Sequence, residues 1–216
     1  MKLKFKVQQY QSDAVENTVK VFNGQPNKGL AEYVVDKGKS YIIQNGKKVQ
    51  IQTFDFDDTA GYRNSDIELS QDDIHKVQTD SNIKLSNEVI ANLGHCQLDI
   101  EMETGTGKTY VYTRTIFELN KQYGWSKFII VVPSIAIREG VSQSLKFTEE
   151  HFMELYGKKI RHFIYNSNNL TVIDTEFSQS SDICVMIINT QAFNTMKEGA
   201  KNEAARIINS KREEFG

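Results

Sequence analysis

The chain has 216 residues, 39% of them hydrophobic and 10% aromatic, with a formal net charge of −2. That suffices for one large domain with a core and excludes a chain disordered by composition. It also excludes bulk basicity as a sign of nucleic acid, so any DNA contact has to be local. No apolar run approaches the ~20 residues of a membrane helix, and the start Met1-Lys2-Leu3-Lys4-Phe5-Lys6 lacks the apolar centre of a signal peptide.

In chain order, Tyr10-Gln11-Ser12-Asp13-Ala14-Val15 opens a helix with Ala14, Val15 and Val19 apolar. From about 23 to 85 the rhythm changes. Tyr33-Val34-Val35, Ser40 to Ile43 and Val49 to Phe54 read as antiparallel strands, with Asn45-Gly46 a favoured hairpin pair. Ser70, followed by Asp73, caps a short helix toward Val77. We read this stretch as an insertion. Leu98, Ile100 and Met102 then alternate with Asp99 and Glu101, as on a half-buried strand. Tyr112, Ile116, Leu119 and Tyr123 form one helical stripe, ended by Gly124. Phe128 to Val132 suits a strand buried on both faces, stopped by Pro133. Ser134 caps a helix running to Gly157. His162 to Tyr165 and Ile183 to Ile188 read as strands, and Ala204 to Asn209 as helix. Such alternation implies an α/β domain with a mostly parallel sheet.

The segment with the most chemistry lies between the fourth strand candidate and its helix: Thr104-Gly105-Thr106-Gly107-Lys108-Thr109. Backbone N–H groups entering a helix N-terminus form an anion site. Gly105 and Gly107 let the backbone approach a phosphate. Lys108 reaches the β- and γ-phosphates of ATP, and the Thr109 hydroxyl ligates Mg²⁺. The pattern has one defect: Met102 stands where the full motif has glycine. A glycine-rich structural turn is the competing reading. Beside such a loop, the Gln11 amide, donor and acceptor together, suits the adenine edge. Ser134 and Arg138 follow the carboxyl end of a strand, where open α/β sheets bind ligands; hydroxyl, amides and guanidinium suit phosphate. An ordinary helix cap with a solvated Arg138–Glu139 pair is the alternative.

Together, Tyr10-Gln11, the Thr-Gly-Thr-Gly-Lys-Thr loop, Val131-Val132-Pro133-Ser134 with Arg138, and Ile188-Asn189-Thr190-Gln191-Ala192-Phe193 resemble the glutamine motif and motifs I, Ia and Ib of superfamily-two helicases. Asp99 to Tyr110 and Phe128 to Val141 resemble, more closely still, the restriction (Res) subunit of type III restriction–modification enzymes. The resemblance implies a RecA-like first motor domain over 1–216, with the 23–85 insertion inside it and the second motor and nuclease domains outside this chain. It implies ATP and Mg²⁺, double-stranded DNA and a methyltransferase (Mod) partner; the two isolated cysteines suggest a reducing cytoplasm. Lys108 and Thr109 match the catalytic phosphate and Mg²⁺ ligands. Tyr10 and Gln11 match the adenine reader. Pro133, Ser134, Arg138, Thr190 and Gln191 match DNA-contacting motifs.

One departure bears on activity. An ATPase of this type needs a carboxylate pair after an apolar strand, and no such pair follows Gln191-Ala192-Phe193 in these residues. Asp174 and Glu176 imitate it upstream, in a stretch that reads as loop. We therefore expect the chain alone to be inactive as an ATPase. Other superfamily-two helicases, a small-molecule kinase and a nucleotide-binding interaction module remain as alternatives; scattered arginines weaken the kinase reading. Cys96 and Cys184 read as separate buried thiols, the four histidines show no metal-ligand spacing, and Trp125 and Phe128 read as core.

Overall fold

A computed structural model describes residues 5–34, 40–44, 47–51, 60–65, 76, 79–80, 98, 100–166 and 177–192. Helix α1 spans Gln9–Lys20 and buries Val15 and Val19, one turn apart. Four short strands follow: β1 Leu30–Val34, β2 Ser40–Gln44, β3 Lys47–Ile51 and β4 Ala60–Asn64. β2 and β3 form an antiparallel hairpin whose register pairs Gln44 with Lys47. β1 pairs antiparallel with β4, enclosing that hairpin in sequence. The antiparallel pairing within this stretch is as expected; β4 and its partner are not. Ala60, Gly61 and Asn64 are poor strand formers, so only the pairing with β1 makes this a strand. Lys76, Thr79 and Asp80 are helical, whereas Ser70, Asp73 and Asn45-Gly46 lie outside the described residues.

The second half alternates as the sequence predicts. Helix α2 spans Lys108–Tyr123, β5 Lys127–Val132, α3 Ile135–Tyr156, β6 Ile160–Ile164 and β7 Ile183–Asn189. The three strands form a parallel sheet in the order β5-β7-β6. Both long helices end on a left-handed glycine, Gly124 at φ 77° and Gly157 at φ 68°. Ser134 caps α3, its hydroxyl accepting from the Ile137 N–H at 3.3 Å. The expected helix from Ala204 to Asn209 lies outside the described residues.

β7 is the central strand and is buried at all positions. Its side chains alternate between two clusters, as the period of two requires. Ile183, Val185 and Ile187 join Ile116, Phe117, Val141, Leu145 and Phe152 beneath α2 and α3. Cys184, Met186 and Ile188 join Tyr165 and Phe177 on the opposite face. A third cluster packs α1 on α2 through Val15, Val19, Phe22, Val111, Leu119, Tyr123 and Trp125. Burying each large apolar side chain contributes about 1.5–3 kcal/mol. Trp125 is therefore core, as expected, and Cys184 is buried.

Two sequence expectations need correction. β5 is not buried on both faces: Ile129 and Val131 are each 44% exposed. The cause is position, since β5 is an edge strand of the described sheet. Nor do Leu98 and residues 100–102 form a strand. Leu98 and Met102 pack on the α1–α2 cluster, but Ile100, expected on the same face, is 47% exposed. No neighbouring strand pairs with this segment among the described residues.

Candidate functional site

The phosphate-loop candidate sits at the N-terminus of α2. Met102 anchors its entry: the side chain packs against the α1–α2 core, and the carbonyl accepts from Lys108 Nζ. The residue that spoils the sequence pattern thus ties the loop down. Glu103 and Thr104 lead into a tight turn, in which Thr106 Oγ1 donates to the Glu103 carbonyl at 2.6 Å. Gly105, at φ 83°, has open space where a Cβ would stand. Gly107 caps α2 at φ 89°, ψ 36°, and a Cβ there would come 2.5 Å from Gln11 Nε2. The two glycines therefore differ: Gly105 stands open, whereas Gly107 lies against the Gln11 amide.

Helix α1 braces this loop. Gln11 Nε2 donates to the Thr106 carbonyl at 2.8 Å, and the Tyr10 hydroxyl donates to the same oxygen at 3.1 Å. Arg114, five residues into α2 from Thr109, donates through its Nη1 to Ser12 Oγ at 2.9 Å. Its Nε donates to the Tyr156 hydroxyl at 3.4 Å, and that hydroxyl donates to Glu118 Oε1 at 2.7 Å. Burial, with the Glu118 carboxylate beside it, pushes the Tyr156 hydroxyl up to about 12. Three helices are thus tied together behind the loop. The tie through Arg114 and Tyr156 has no local sequence signal, because its members lie 42 positions apart. Tyr110, next to Thr109, shares a hydrogen bond of 3.0 Å with His151 Nε2. Burial lowers the His151 pKa, and Arg114 lowers it further against the opposing pull of Glu154.

Chemically the loop offers an exposed ammonium, a hydroxyl and a helix N-terminus with no acidic residue in its first turn. The positive end of a helix dipole favours an anion there. Lys108 and Thr109 fit a phosphate and its bound Mg²⁺, and the open face of Gly105 fits the approach. Among the described residues no group of histidine, cysteine and acidic side chains forms a metal cluster.

The second group of candidates lies at the carboxyl end of the sheet. Val132 and Asn189 are partners in the parallel register of β5 and β7. Pro133-Ser134 and Thr190-Gln191 consequently leave adjacent strands at one end. Pro133, Ser134 and Gln191 are exposed, and Thr190 is half-buried. Arg138 lies one turn into α3. Its Nη2 meets Glu139 Oε1 at 3.2 Å, while its Nε is buried with no hydrogen-bond partner. Lys158, Lys159 and Arg161 lie at the opposite end of the sheet, and Lys2 and Lys4 lie outside the described residues. Asp174 and Glu176 also lie outside the described residues. No described helix is long and apolar enough to cross a membrane.

Comparison with known proteins converges on one group. The family model described as "Type III restriction enzyme, res subunit" matches residues 72–211. The EcoPI Res subunit of the type III restriction-modification enzyme from Escherichia phage P1 is 49% identical over 72 residues, 32% of this chain and 7% of that protein. The EcoP15I Res subunit of Escherichia coli is 47% identical over 72 residues, again 32% and 7%. The StyLTI Res subunit of Salmonella typhimurium is 35% identical over 115 residues, 45% of this chain and 12% of that protein. The matches thus span about a tenth of these relatives' length.

Proposed function

Because the chain belongs to the family of type III restriction enzyme Res subunits, we propose that it forms the ATP-binding part of the motor in an ATP-dependent restriction endonuclease subunit. That subunit acts on foreign double-stranded DNA in the cytoplasm, together with a methyltransferase (Mod) partner. The single observation that carries the reading is the loop itself: an exposed Lys108 and open Gly105 at the N-terminus of α2. Lys108 binds the β- and γ-phosphates of ATP, and the Thr109 hydroxyl holds Mg²⁺, which supplies charge neutralisation on the phosphates. Thr104, Gly105, Thr106 and Gly107 contribute backbone to the cradle. Gln11 commits its Nε2 to Thr106, so its amide oxygen is the half that accepts from the adenine N6 amine, with Tyr10 beside it. Pro133, Ser134, Arg138, Thr190 and Gln191 contact the DNA backbone at the carboxyl edge of the sheet.

The chain by itself binds nucleotide through this loop. The test is a steady-state ATPase and DNA-cleavage assay on the full-length Res subunit with its methyltransferase. DNA should stimulate hydrolysis, and Lys108→Ala should abolish both activities. DNA-independent hydrolysis accompanied by phosphorylation of a small molecule would replace this reading with a kinase.

A further inference from the structure

The end of the sheet opposite Lys108 carries a groove that the motor reading leaves unused. It lies where α2 and α3 both stop, at Gly124 and Gly157. Two hollows of about 370 and 410 Å³ adjoin there, sharing Asn120 and Lys158 in their walls. Each falls within the ~300–1,000 Å³ of typical binding pockets. The first runs over Phe117 and Tyr156, whose rings stack at 4.9 Å, and is flanked by Asn27 and Lys121. The second adds Met153, Lys159 and Asp182.

The charges are uneven. Lys159 pairs with Glu149 at 2.6 Å, and Asp182 faces Arg161 at 3.5 Å. Lys121 and Lys158 have no carboxylate partner among the described residues. Lys158 Nζ is held by Asn120 Oδ1 at 2.8 Å, which uses one of its three donors and leaves two. Beside these cations Leu155 is 53% and Met153 41% exposed. The groove therefore joins two ammonium groups that lack a carboxylate partner among the described residues to an apolar rim.

Its acceptors decide the ligand class. Helix C-termini present carbonyl oxygens and the negative end of the dipole, which disfavour a compact, doubly charged anion such as free phosphate. A peptide meets both halves: its N–H groups go to the carbonyls, and its carboxylates go to Lys121 and Lys158. We propose that this groove docks an acidic, leucine-bearing segment of a partner protein. Helix α2 separates it from the nucleotide loop by roughly 24 Å, 16 residues at about 1.5 Å each. Partner and nucleotide can thus occupy the chain together.

Fluorescence anisotropy with a fluorescein-labelled decapeptide of alternating glutamate and leucine tests this on the 216-residue chain. The peptide should bind saturably. Charge reversal by Lys121→Glu with Lys158→Glu should weaken it by at least about 10-fold, and Leu155→Ser should weaken it separately. Nucleotide binding should be unchanged in all variants, which keeps this test apart from that of the motor reading. Absence of saturable binding, equal binding of a lysine–leucine decapeptide, or full displacement by inorganic phosphate would overturn the proposal. So would unaltered affinity in folded variants, with circular dichroism as the check on folding. Self-association of the chain that the same variants abolish would give the groove to a second copy instead.

Discussion

At the scale of single residues, glycines at helix ends separate conformational strain from crowding. Gly157 holds φ 68° with nothing within 4 Å of a built Cβ, so Gly157→Ala should cost only the left-handed penalty of about 1–2 kcal/mol. Gly124 holds φ 77°, but its Cβ would meet Gly29 Cα at 2.7 Å and Asn27 Oδ1 at 2.8 Å. Gly124→Ala should therefore cost a further ~1–3 kcal/mol for overpacking. Urea denaturation of the two variants measures the difference, and equal losses would mean the 25–29 turn yields freely. Gln11 offers a second test at this scale. If its amide oxygen reads adenine, Gln11→Ala should erode the preference for ATP over GTP, since a site built on a hydrogen-bonded edge discriminates strongly. An unchanged preference in competitive titrations would leave Gln11 as a strut for Thr106 alone.

At the scale of elements, two polar side chains fasten peripheral segments to the sheet. Asn64, at the end of β4, accepts from the Ser126 and Lys127 N–H groups at 2.8 and 2.9 Å and donates to the Lys127 carbonyl at 2.7 Å. Asn64→Ala should cost about 1–3 kcal/mol and speed hydrogen exchange at Ser126 and Lys127; unaltered exchange there would show that β4 does not hold β5. Lys127 is buried, and its ammonium donates to the Phe177 and Ser180 carbonyls. Burial lowers its pKa from 10.5, against smaller opposing effects of Cys184 and Asp182. The unfolded chain then holds this proton more firmly than the folded one. Stability should accordingly rise with pH across the window that ends near 10.5. Lys127→Met should flatten that rise in urea midpoints taken against pH, and an identical slope would remove Lys127 as its source. Neither fastening was legible in the sequence, because each joins residues 50 or more positions apart. What was legible is local: the apolar runs of β5 and β7, the Ser134 cap, and the glycines that end α2 and α3. The edge position of β5 and the missing ladder at Met102 depend on which strands meet, and periodicity is silent about that.

At the scale of the molecule, α1, α2 and the sheet bring Tyr10, Gln11 and the Thr104–Thr109 loop into one place, although 95 positions separate Gln11 from Thr106. Sequence motifs marked the loop as phosphate-binding and the strand ends as DNA-contacting. They could not show that Gln11 braces Thr106, or that Gly107 lies against the Gln11 amide. The whole reading rests on the loop being a nucleotide site. Isothermal titration calorimetry of Mg·ATP against the wild-type chain and Lys108→Ala tests this most directly. Binding should be saturable, and Lys108→Ala should weaken it by at least ~10-fold, about 1.4 kcal/mol; equal affinity in the two proteins, or no binding to either, would contradict a nucleotide site here.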